Sequence, residues 1–294
     1  MTGPIRWGPA YRTTLTNERL GGIRSALAKA EASAMDGLEV RKPSDAPALL
    51  PAIHRIQGAV EDQSAYKQNS DRTLSYLDVA DQVLGDVSDV LKFAIERVVQ
   101  FSSETHSPEE RVLGAIEIQS VWDTVLSLSN TRVGDRYVFA GAEWDAPAFD
   151  PTGTYQGDSL TVKARVSAST DIDLTQDGGA VFQGSVDVFQ VLKDAVTALS
   201  ANDVAATRAT LPVVRDALDA IIRSRADIGF RQRSALDAAS VAERLHDEFA
   251  GQLADLTEVP MDQAISNLVN LRGNYDAALQ ITAKSGISTL FDLL

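Results

Sequence analysis

Gly157-Asp158-Ser159-Leu160 spell the letters by which one class of esterases carries its nucleophile. A serine hydroxyl is a weak nucleophile near neutral pH. It needs a histidine base within hydrogen-bond reach, oriented in turn by an acid. Such a serine stands on a strand-to-helix turn. Here Ser159 leads into "LTVKARV", an alternating stretch that reads as a strand. The C-terminal histidine, His246, has Glu243 three residues before it and falls in a helical pattern. An extracellular hydrolase using Ser159 is therefore a distant alternative, and a turn is the better reading.

The other reactive residue types fare no better. Asp171, Asp173 and Asp177 in "DIDLTQDGG" suggest a calcium loop, but the sixth and twelfth positions hold Gln176 and Phe182 where Gly and a bidentate Glu belong. Glu143, Asp145 and Asp150 offer carboxylates with no spacing that sets two of them across a groove. His54, His106 and His246 are far apart, and with no cysteine in the chain no zinc-ligand spacing arises. Trp122 and Trp144 read as packing residues. No catalytic residue, cofactor site or metal site emerges.

The composition narrows the partners. A net charge of −14 argues against nucleic acid and against an anionic membrane surface, both of which call for basic patches. No apolar run reaches the roughly 20 residues of a membrane span. Apolar residues make up 44% of the 294, but aromatics only 6%. That balance favours Ala, Leu and Val seams between helices over a thick aromatic core. Absence of cysteine suits an extracellular protein. "MTGPIRWGPAYRTTLTNERL" has no apolar core of a signal peptide, so export is expected by a route without a cleaved signal.

The elements that hold these residues follow from periodicity. Leu77, Leu84, Leu91 and Val98 recur every seven residues, and Ala80, Val87, Ala94 and Phe101 form the partner series. This is the seam of a long packed helix. "RKPSDAP" predicts its start, with Ser44 as cap and Asp45 at the positive end, so that the helix runs from Asp45 to Phe101. "SPEE" restarts a helix with Ser107 as cap and Glu110 closing a capping box, ending near Arg132. Strands are expected at "RYVFAG", "LTVKARVS" and "DIDLT" within a β-rich lobe. Helices return at 186–200 and 204–256, where Ala235, Ala242, Phe249 and Leu256 keep the seven-residue period. A last helix restarts at Pro260.

The expected fold is mainly α with a small β-rich insert: an elongated antiparallel helical coiled-coil rod with a central β lobe. Its expected segments are N-terminal coiled-coil helices at 1–105, a rod segment at 106–134, an outer lobe at 135–185, a returning rod segment at 186–234 and C-terminal coiled-coil helices at 235–294. Leu77, Leu84 and Leu91, with Leu268, Leu271, Tyr275 and Leu279, are candidates for an assembly interface. Ile287, Leu290 and Leu294 would continue the C-terminal stripe.

"RKPSDAP", with Arg41, Pro43, Ser44, Asp45 and Pro47, resembles the N-terminal signature of the flagellin superfamily, with Ala46 in place of its second Asp. "NTRVGDRYVFAG" followed by "YQGDS" resembles the passage into the outer domain of its hook-filament junction members. "IIRSRADIGFRQRSAL" and "MDQAISNLVNLRGNYDAALQITAKSGISTLFDLL" are similar to its C-terminal half. The resemblance implies a structural flagellar subunit without enzymatic activity, lying outside the cell at the junction of hook and filament. Its implied partners are hook-associated protein 1, flagellin, copies of itself in a ring and an export chaperone. A small flagellin that builds the filament itself is the alternative.

Overall fold

A computed structural model describes residues 9–291, with side chains described for 14–283. Seven helices and four short strands follow in the order α1 (Pro9–Asp36), α2 (Leu50–Phe101), α3 (Pro108–Ser129), β1 (Arg132–Val133), β2 (Arg136–Tyr137), β3 (Lys163–Arg165), β4 (Asp171–Asp173), α4 (Gly178–Phe182), α5 (Val188–Ser200), α6 (Val204–Thr257) and α7 (Met261–Phe291). The chain is mainly α with a small β insert. It divides into two compact units, one of residues 1–60 with 247–294, the other of residues 61–246.

The larger unit is built on the α2 seam. All eight seam residues from Leu77 to Phe101 are buried, with Leu77, Leu84, Leu91 and Val98 fully so. The pairs that join α2 to α6 show the two helices to be antiparallel. Asp81 meets Arg225 through both carboxylate oxygens, at 2.9 and 3.1 Å, Asp78 accepts from Gln232, and Ser102 accepts from Arg208. As one number rises the other falls. Opposite them α3 supplies Ile118, Val121 and Val125, and α5 supplies Val188, Leu192, Ala195 and Leu199. Helices of this length gain most of their stability from such an apolar face, not from intrinsic propensity.

Ser107 caps α3 and Glu110 returns the bond to the Ser107 amide, the expected capping box. The turn before it is locked by Arg111. Its buried guanidinium donates to the carbonyls of Phe101 and Ser103 and to the Asn202 side chain, so both loops at this end of the unit share one cation. α3 ends at Ser129, short of Arg132, because the Asn130 side chain turns to the backbone of Phe149. It donates to the carbonyl and accepts from the amide, each at 2.9 Å.

The lobe holds less strand than its sequence predicts. "RYVFAG" yields only Arg136–Tyr137, paired with Arg132–Val133. Val138, Phe139 and Ala140 are all buried in succession, which a strand with one wet face does not allow. "LTVKARVS" and "DIDLT" contribute Lys163–Arg165 and Asp171–Asp173 as a short antiparallel hairpin. Aromatic packing replaces the missing sheet. Phe149 lies 5.0 to 5.5 Å from the rings of Phe182, Phe189 and Tyr155, and Phe139 meets Phe182 edge-on. The hairpin rests on the helices through Val166 and Ile172, which pack with Ala235 and Leu74.

In the smaller unit α1 packs along α7. The loop after α1 is stitched to the segment before α7. Glu39 and Val40 amides donate to the Thr257 carbonyl, and Val259 donates to Gly37. Gly37 has φ +73°, a left-handed conformation that a side chain would strain.

Two glycines give a test of this packing. A methyl group at Gly114 would stand 2.4 Å from the buried Phe101 ring, whereas one at Gly229, inside α6, meets nothing within 4 Å. Gly114→Ala is expected to destabilise the larger unit by about 1–3 kcal/mol. Gly229→Ala should stabilise it by up to about 1 kcal/mol through helix propensity. Thermal unfolding followed by circular dichroism separates them, and equal midpoints would contradict the close fit of α2 on α3.

Candidate assembly surface

Several of the residues that could do chemistry are engaged in turns, caps and ion pairs. In GDSL the two working residues are Gly157 and Asp158. A Cβ at Gly157 would lie 2.6 Å from the Ala140 carbonyl, and the Asp158 carboxylate accepts from the Ala142 amide while its carbonyl accepts from the Tyr155 hydroxyl. Burial, first of all, pushes that hydroxyl's pKa upward, so it remains a donor. Ser159 itself is exposed in the loop before β3. The letters encode a tight turn under the aromatic cluster.

Asp171 pairs with Arg165, Asp173 accepts from Thr161, and Asp177 caps α4 at the Ala180 amide. Asp150 gathers the Thr152 and Thr154 amides and the Gln156 side chain into its own turn. Glu143 and Asp145 are exposed. Among the described residues no three His, Asp or Glu side chains come together as metal ligands. Trp122 packs edge-on to Phe189, and Trp144 lies under the Arg136 guanidinium.

The signature residues 41–47 form a turn, not the start of α2. Helix begins only at Leu50, because the Asp45 carboxylate folds back to accept the Arg41 and Lys42 amides at 3.1 and 3.0 Å. Those bonds take the aspartate away from the helix end where it was expected, and Ser44 is exposed and caps nothing. The Arg41 guanidinium reaches Asp36 with two bonds, and Lys29 lies 3.8 Å from Asp45. Pro43 and Pro47 are exposed, fixing the backbone at either side of this turn. Asp36, at the end of α1, gave no signal in the sequence for this pairing.

The apolar candidates separate into two groups. Leu77, Leu84 and Leu91 are fully buried in the chain's own core, so none of their surface is left for a neighbour. Leu268, Leu271 and Tyr275 are half-buried on the face of α7 that also carries buried Ala264. Leu279 is 43% exposed. Beside this stripe lies a second that sequence reasoning passed over. Met261, Ile265 and Val269, spaced by four, are exposed, Val269 by 64%. Two apolar faces on one helix need two partners. Ile287, Leu290 and Leu294 lie outside the described side chains.

Large contiguous apolar patches on a protein surface are a recurrent feature of interaction sites.

The chain's likeness to known proteins bears on what is buried there. Residues 11–143 match the family described as the bacterial flagellin N-terminal helical region. Flagellar hook-associated protein 3 of Escherichia coli K12 is 28% identical over 87% of this chain and 89% of its own. The protein of the same name from Salmonella typhimurium LT2 is 24% identical, over 85% and 86%. Among solved structures, the flagellar junction protein FlgL from Legionella pneumophila shares the fold with a TM-score of 0.57 at 14% identity, covering 71% of this chain and 99% of that one.

The 41–45 turn carries a pH test. The Arg41 guanidinium holds the Asp36 carboxyl below its ordinary value, and the Lys42 and Arg41 amides do the same for Asp45. A depressed folded pKa means the bonds are fully made above the unfolded value near 3.9 and are lost as pH falls through the folded one. The Arg41 and Lys42 amide proton shifts should therefore titrate together, with a midpoint below about 3.9. Asp45→Asn should abolish that titration. A midpoint above the unfolded value would contradict the turn.

Proposed function

We propose that this chain, a member of the flagellin superfamily, is the structural subunit that joins hook to filament in a bacterial flagellum. The observation that carries the reading is the apolar double face of α7. One stripe packs on α1 of the same chain and the other, Met261–Ile265–Val269, is open. A subunit that polymerises needs such a face, because association is driven by apolar area removed from water. Related proteins of nearly the same length carry the name flagellar hook-associated protein 3.

Its partners on this reading are hook-associated protein 1 on one side, flagellin on the other, and its own copies around a ring. An export chaperone would cover the open face of α7 before assembly. Activity as an enzyme is no part of the proposed role; Asp150 and Asp158 hold turns, Asp177 caps α4 and Asp171 is ion-paired. The turn at 41–45 is tied to α1 through Asp36 and Lys29, and residues 37–40 are bonded to the segment that enters α7, so that the helices bearing the assembly face leave from a fixed joint. A small flagellin is the second reading, favoured by the match to the flagellin N-terminal region.

Val269→Asp tests the reading without disturbing α1. Leu271 is half-buried on the α1-facing stripe, so aspartate there would damage the fold itself, whereas Val269 points to solvent. The variant should melt within about 0.5 kcal/mol of wild type. Each assembled contact would bury an unpaired carboxylate, at a cost of several kcal/mol. Cells carrying it should lose motility and shed flagellin into the medium. Normal swimming with no extra shedding would remove α7 as an assembly surface.

A further inference from the structure

The outward side of α6 carries one line of residues spaced by seven: Asp216, Arg223, Phe230, Asp237 and Arg244. All five are exposed, Phe230 by 67%. They lie opposite the side on which Ala217, Ile221, Ile228, Ala235 and Ala239 are buried. The face is mixed in charge. Asp219 and Asp227 stand on it with Arg223 and Arg233, while Arg225 and Arg231 are paired with Asp81 and Asp227. Among the described residues Asp216, Arg223, Asp237 and Arg244 make no ion pair, although Asp219 stands four residues before Arg223 and Arg233 four before Asp237.

We infer that this line binds the same line on a second copy of the chain, running antiparallel about a twofold axis at Phe230. The order of the charges picks the occupant. Read forwards the line is Asp, Arg, Phe, Asp, Arg, and read backwards it is Arg, Asp, Phe, Arg, Asp. Laid antiparallel on itself, it sets Asp216 against Arg244 and Arg223 against Asp237, twice each, with Phe230 on Phe230 at the centre. Asp227 and Arg233, three residues either side of Phe230, also fall opposite each other, and Asp219 falls opposite Val241, so no like charges face. Laid parallel, every charged position would meet its own sign. Charge patterns of this kind set partner and orientation between paired helices.

The centre has room for the contact. Gly229, next to Phe230, has nothing within 4 Å of where a Cβ would stand, and Ala226 and Ser234 are small. A groove of about 460 Å³, lined by Leu74, Gly229 and Leu236, opens at the side. An apolar residue at the middle with charges at the margin is the anatomy of a specific interface. At about 1.5 Å per residue the line from Asp216 to Arg244 is roughly 42 Å long. The contact is isologous, so it closes on itself and stops at two copies. It belongs to the free chain and does not depend on the flagellar reading. Subunits of a ring all point one way, whereas this pairing points two copies in opposite ways.

Sedimentation equilibrium of the purified full-length protein reads the pairing. At physiological ionic strength the Debye length of about 8 Å screens the net charge of −14 but not contacts of a few ångström, and the chain should be in monomer–dimer equilibrium. Arg223→Glu and Asp237→Arg should each weaken the dimer by at least about tenfold, because each sets like charges together at two places. Asp237→Arg lowers the net negative charge, so a loss there reports local pairing and not general repulsion. The two single variants mixed, or the double variant with both signs exchanged, should dimerise as the wild type does, which also shows that the single variants are folded. Val269→Asp, which removes the α7 face, should leave the dimer as it is. A monomer at every concentration, a dimer indifferent to the reversals, or a mixture that stays monomeric would each overturn the pairing. So would a dimer abolished by Val269→Asp, which would assign self-association to α7. Motility and shedding test that face separately.

Discussion

A helix of fifty residues cannot stand in water on its own backbone, and everything else in this chain follows from how α2 and α6 escape that condition. A seven-residue spacing keeps one narrow stripe of α2 facing inward from Leu77 to Phe101. Because the stripe is narrow, small and branched residues suffice to fill it, and α3, α5 and α6 can all reach it. Ala80 and Ala94 are buried within it. The Asp81–Arg225 pair then sets the register between α2 and α6. It is partly exposed, so its contribution is to alignment more than to stability.

The same condition, unmet, describes the rest of the molecule. α7 has one stripe on its α1-facing side and a second that is exposed, and α3 and α6 carry exposed apolar residues on their outward faces among the described residues. On the proposed reading of the chain as a flagellar subunit, they are the places a neighbour would cover. Leu77, Leu84 and Leu91 are buried in the chain's own core, whereas Val269 and Phe230 are exposed.

How much of this could be read from residues alone depended on how local the physics was. The α2 seam and the Ser107–Glu110 box are decided within a few turns of helix, and the structure shows both. The start of α2 was misread because Asp45 had two possible sets of amides to accept from, and only the tertiary position of the loop chooses those behind it. The strands of the lobe were overread because Val138, Phe139 and Ala140 look like a strand in composition. Their partners are the rings of Phe149 and Phe182 from far along the chain, and aromatic clusters have no period. Outward faces are the hardest to see. Val269 and Phe230 look like core residues until the helix they stand on is placed, since periodicity says which residues share a face and not what covers it.

Of the statements made about this chain, the central one is its place in the flagellum. Gold-labelled antibody against the β lobe, applied to isolated hook–basal bodies with their filaments attached, measures that place directly. The account predicts one narrow band of label where hook meets filament. Label spread along the whole filament would make the chain a flagellin, and a flagellum with no label at all would contradict the account.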